Sequence, residues 1–148
     1  MKTNTLALLL LLCFLLFSCK QEPNPQPYST WTIGSDSFST NQVSLTHSKA
    51  GTSLSIGNAK SKFYYRTIGG IPEDGKYPFD LVGTNNPAYL DVFFSKDSLL
   101  YEPMDSSSFM SISRSDGIVT MEMPLSRFRN YKDSTGIQWI KATIRVRE

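Results

Sequence analysis

The chain is poor in the residues that carry most protein chemistry. Its 148 residues include two cysteines, Cys13 and Cys19, and one histidine, His47. That is too few for the common zinc sets of Cys and His ligands, and no spacing resembles a calcium loop. No metal or other cofactor is therefore expected. Both cysteines fall within the first nineteen residues, so the body of the chain has no disulfide framework and must stand on its core. Charged residues are 19% of the total and the formal net charge is +2, which gives no general attraction to nucleic acid. Neither phosphate-binding glycine motif occurs, nor does a Gly-x-Ser-x-Gly nucleophile elbow. A serine–histidine–acid site needs a base held by an acid beside a nucleophile, and nothing selects one of the many serines beside His47. There is no convincing amphipathic helix and no internal repeat.

The chain has one long apolar run. Lys2 precedes it, Leu6 to Phe17 forms it, and Leu16-Phe17-Ser18-Cys19 ends it. At twelve residues it falls short of the ~20 needed to span a bilayer. A positive start, a short apolar centre and a small residue before a cut describe a secretory signal. Leu16 three residues before Cys19, with Ser18 directly before it, resembles the signal of bacterial lipoproteins, although Phe17 departs from the usual small or aliphatic choice. The resemblance implies a signal over residues 1–19, removed up to Cys19, with lipid on Cys19. One acyl chain anchors only marginally, at ~0.8 kcal/mol per buried CH₂; proteins of this kind carry several. The implied address is the cell envelope, attached to a membrane without crossing it. Lys20 stands where such proteins retained at the inner membrane carry aspartate, so the resemblance leans toward the outer membrane.

Residues 20–29 follow as a tether. Lys20 to Pro27 has proline at alternate positions, which favours an extended polyproline II stalk at ~3.1 Å per residue. Such a stalk holds the domain roughly 30 Å from the lipid.

Residues 30–148 read as strand after strand, from apolar and polar residues alternating at the period of a half-buried strand. Trp31 and Ile33, Val43 and Leu45, and Leu54 and Ile56 each share a face. Phe63 and Tyr65 oppose Tyr64 and Arg66. Val119, Met121, Met123 and Leu125 form another apolar row, and Ile140, Ala142, Ile144 and Val146 the cleanest. Gly34-Ser35, Gly57-Asn58 and Asp116-Gly117 mark turns between them. Gly69–Gly83 is irregular, a loop around one short strand, and loops of that length often carry function. The expected fold is an all-β single domain, an antiparallel sandwich or a barrel-like sheet. Trp31-Thr32-Ile33 followed by Ser37-Phe38-Ser39, with a later Asp-Gly turn, resembles the layout of small Bacteroidetes-type lipoproteins of unknown function. That likeness implies a β-sandwich-like domain and no particular activity.

Two features suggest where partners bind. Charge is uneven: Glu73 to Asp105 holds seven acids, while Arg127 to Arg147 holds six bases. These stretches either complement each other across the fold or leave a basic face for an anionic partner. In the last strand the apolar face is filled, so Trp139 is expected to point outward with Lys141, Arg145 and Arg147. Outward aromatics anchor partners or stack on sugars, and these four residues are the candidate binding face. Without a catalytic motif, the sequence reads as an envelope protein whose β-domain binds or scaffolds an envelope protein or glycan, not as an enzyme. The alternatives are a small hydrolase with an unrecognised site, or a barrel that encloses a small apolar ligand.

Overall fold

The computed structural model describes residues 26–48, 51–81, 86, 88–105, 107–133 and 135–147. The signal, Cys19 and the start of the tether lie outside the described residues. The strands are β1 (Ser29–Ile33), β2 (Asp36–Thr40), β3 (Val43–Ser48), β4 (Gly51–Gly57), β5 (Ser61–Thr67), β6 (Gly75–Pro78), β7 (Asp91–Lys96), β8 (Leu99–Pro103), β9 (Phe109–Ser115), β10 (Ile118–Asn130) and β11 (Ile137–Arg147). All pairings between them are antiparallel. Among the described residues there is no helix. The domain is all-β.

Nine strands form one continuous path, in the order β2-β1-β11-β10-β8-β7-β5-β4-β3. Laid flat, that path would place its ends roughly 40 Å apart at ~4.8 Å per strand. Yet β2 and β3, the two ends, are joined by only Asn41 and Gln42, a link that reaches at most ~11 Å. The sheet must therefore curl back on itself, giving a half-barrel. Two contacts pin the curl from inside and at its rim. The Trp31 Nε1–H on β1 donates to Ser61 Oγ on β5 at 2.7 Å, and Lys96 at the end of β7 pairs with Asp36 at the start of β2.

Strand β10 is the hub. One edge runs along β11 for nearly its whole length. The other edge takes β9 along its first half and β8 along its second, and β6 adds to β9. The change of neighbour coincides with a bulge between Met123 and Ser126. Pro124 sits inside it; proline cannot donate to a ladder and is confined to edges and bulges. An extra residue in a strand reverses the facing of everything beyond it. Val119, Met121 and Met123 point into the core, and past the bulge the buried residues are Ser126 and Phe128. Leu125, expected to share the face of Met123, is 59% exposed instead. Leu125→Ala should therefore change stability by no more than ~0.5 kcal/mol, as surface substitutions do. A urea midpoint lowered as far as that of Met123→Ala would show that the strand is regular.

The inner face carries one continuous cluster of buried apolar side chains. Phe63 and Phe94 lie 5.2 Å apart centroid to centroid, Phe94 and Phe128 5.4 Å, and Phe79 and Phe128 6.0 Å. Trp31, Ile140 and Ile144 close the core from the other arm. The loop after β5 contains β6, as expected. Arg114 on β9 ties down its first part, donating to the carbonyls of Ile71 at 3.1 Å and Pro72 at 2.8 Å and pairing with Asp74 at 2.9 Å.

Candidate functional site

The outward-facing row of β11 begins at Trp139, which is 51% exposed. Lys141 and Arg145 are exposed on the same face, and Arg147 is half-buried. Its backbone N–H donates to Gln26 Oε1 at 2.9 Å, so the end of the tether packs beside this end of the strand. Register places Arg127 of β10 opposite Trp139 and Glu122 opposite Thr143. Beside Lys141, the outward side chains of Thr30, Thr32, Ser37, Ser39 and Thr143 line a shallow hollow of about 470 Å³. The expected residues therefore share one face, cationic and aromatic at one end and hydroxyl-rich at its middle.

The acidic and basic stretches meet where Arg129 on β10 pairs with Glu102 on β8 at 2.7 Å. Asp91 and Asp74 pair elsewhere, with Arg66 and Arg114, residues outside the basic stretch. Arg127, Lys141 and Arg145 remain solvent-exposed on the outer face.

A larger groove, about 630 Å³, lies on the outer face of the β3–β4–β5–β7–β8 arm. This volume lies within the ~300–1,000 Å³ usual for ligand clefts. Strand register explains its composition, because facing residues on neighbouring strands stand side by side. One row runs Ser44, Ser55, Tyr64, Phe93 across β3, β4, β5 and β7. The next runs Thr46, Ser53, Arg66, Asp91 across the same strands. Leu54, Tyr65, Leu100 and Tyr131 complete the lining. Tyr131 is 63% exposed, and its backbone N–H donates to the Leu100 carbonyl at 2.8 Å. The partners of these residues on the inner face, Phe63, Tyr65, Val92 and Phe94, are all core. Strands β5 and β7 are thus aromatic on both faces.

No protein-family model, curated protein or solved structure matches this chain. The site's chemistry therefore has to be read from its own geometry.

Arg66 and Asp91 are the groove's charged residues. Arg66 donates from Nε to Asp91 Oδ2 at 2.9 Å, and its Nη2 lies 2.6 Å from the same oxygen in an ion pair. The pair also borders an adjoining hollow of about 280 Å³, with Ile68, Asp80, Asn86 and Tyr89 on its walls. Burial pushes the Asp91 carboxyl above its ordinary value; the Arg66 guanidinium pulls it back, and the negative charges of Asp80 and Glu102 add to the rise. A carboxyl that binds its proton more tightly when folded loses stability as pH rises above its unfolded value. Asp91→Asn mimics the protonated form, so its stability relative to the native protein should increase between pH 3.5 and pH 7. Urea melts of both proteins at the two pH values measure this. A relative stability that falls over that range would mean that attraction to Arg66 outweighs burial.

Among the described residues no cluster of three or more His, Cys, Asp or Glu side chains could hold a metal. Asp74 is engaged by Arg114. His47 lies on the edge strand β3, opposite Thr52. The sequence pointed to β11 and missed the groove. The available signal was the pairing of Tyr64 and Arg66 opposite Phe63 and Tyr65, which marks an aromatic strand with two useful faces.

Proposed function

We propose that this chain is a lipid-anchored envelope protein whose β-domain is a binding module, working through the outer face of its curled sheet. The observation that carries the reading is the groove over β3–β8. Its aromatic side chains stand on the solvent side of strands whose inner faces are already filled, so core packing does not account for them. Large apolar side chains on a surface cost solubility and mark interaction sites when they cluster. A packed interior weighs against a barrel enclosing an apolar ligand. A hydrolase remains the second reading, favoured by one observation: Asp80 and Asp91 border the same small hollow. Against it, Arg66 already engages Asp91 in a hydrogen-bonded ion pair.

Retention of solubilised envelope components by the immobilised mature protein tests the binding reading. Tyr64→Ala combined with Phe93→Ala should lose the retained material while the melting profile stays cooperative. Trp139→Ala distinguishes the β11 face; if that variant alone loses retention, the groove is not the site. Undiminished retention by all variants would contradict binding through this sheet.

The anchor has its own test. Cys19→Ser should leave the domain folded and move the protein from the membrane fraction to the soluble envelope fraction. A Cys19→Ser protein that stays in the membrane pellet after a high-salt wash would contradict lipid anchoring.

A further inference from the structure

We infer that the groove over β3–β8 takes a neutral oligosaccharide, an inference that rests on the binding-module reading and names the ligand class. Three observations point the same way. First, the lining carries no net charge: Arg66 and Asp91 neutralise each other, and the other lining residues are uncharged. An anionic polymer would find its complement on the β11 face instead.

Second, the lining sets a patch of ring faces on β5 and β7 beside a patch of hydroxyls on β3 and β4. Tyr64, Phe93 and Tyr131 offer aromatic surface, on which the C–H face of a sugar ring can lie. Ser44 stands opposite Ser55, and Thr46 opposite Ser53. These four hydroxyls form a rectangle of ~4.8 Å across strands and ~6.8 Å along them. Each hydroxyl both donates and accepts, which matches a ligand whose rim is itself made of hydroxyls. The Arg66–Asp91 pair adds charged donors and acceptors, since a carboxylate has about four lone-pair sites and Arg66 occupies only some of them.

Third, the groove crosses β3, β4, β5, β7 and β8, a span of ~20 Å and longer than one sugar ring. The backbones of β4, β5 and β7 are paired on both sides, so the middle of the groove offers no open edge to an added peptide strand; the open edge is that of β3, at the rim.

Calorimetric titration of the mature protein with maltohexaose, cellohexaose, laminarihexaose, xylohexaose and chitohexaose tests the inference. At least one should bind saturably, with an affinity little changed between 50 and 500 mM salt, since a neutral ligand has no ion pair to screen. Tyr131→Ala, in an exposed loop where folding is not at stake, should weaken that binding ~10-fold. Tyr131→Phe, which keeps the ring, should restore most of it. No binding by any of the five sugars at millimolar concentration overturns the inference, as does sugar binding indifferent to Tyr131→Ala and to Tyr64→Ala. If envelope protein is retained through Tyr64 and Tyr131 while every sugar fails, the ligand class falls and the binding-module reading stands. If neither is retained, both fall.

Discussion

Trp31→Ala is expected to destabilise the domain by ~3–5 kcal/mol, the usual cost of emptying a buried tryptophan site. Trp31 is 2% exposed and stacks on Phe38 with ring centroids 5.9 Å apart. Its Nε1–H reaches across the interior to Ser61 Oγ, which in turn donates a hydrogen bond to the Ser95 carbonyl at 2.6 Å. One side chain thus ties β1 to β5 and, through Ser61, to β7. Removing it leaves a cavity and loosens the closure that the two-residue link between β2 and β3 demands. Trp31→Phe keeps most of the apolar surface and loses the donor, so it should cost less, about 1–2 kcal/mol. Equilibrium urea unfolding of both variants separates packing from closure. A loss below ~1 kcal/mol for Trp31→Ala would mean that β1 does not close over β5.

Ile144→Ala should cost ~2–5 kcal/mol. Ile144 is fully buried, opposite Met121 in β11's pairing with β10, at the middle of the longest ladder in the sheet. Strand β10 pairs with β11 along nearly its whole length, β1 pairs with it from Ile140 to Thr143, and Ser29 Oγ is hydrogen-bonded to the Arg145 backbone just past Ile144, so the surroundings cannot collapse into the void without disturbing contacts to two strands. Thermal melts read the loss directly. An unchanged midpoint would mean that the faces of β11 are reversed, and Trp139 would then be the core residue.

That strand shows what is legible in a sequence of this kind. Four apolar residues at period two fix both faces of β11 at once, so the outward position of Trp139 follows from pattern alone. The same logic failed on β10, because a bulge breaks the period where nothing but Pro124 announces it. Strand β8 was missed for a related reason. It follows a two-residue turn, Asp97-Ser98, with φ of 48° and 69°, a conformation usually given to Asn-Gly or Asp-Gly. The equivalent turn at Asp116-Gly117 carries its glycine and was legible. The groove depended on register across five strands, which local periodicity does not encode. Tyr64 and Phe93 look like core residues until their neighbours on the other face, Phe63, Tyr65, Val92 and Phe94, are seen to fill the core already.

The central claim, that the outer face of the β3–β8 arm is the binding surface, is tested most directly by backbone amide chemical shifts. The isotope-labelled protein is titrated with solubilised envelope material and then with the oligosaccharide that binds best. Shifts concentrated at Ser55, Tyr64, Arg66, Phe93, Leu100 and Tyr131, with β11 unmoved, are the predicted result. Shifts confined to Trp139, Lys141 and Arg145, or none at saturating ligand, would contradict it.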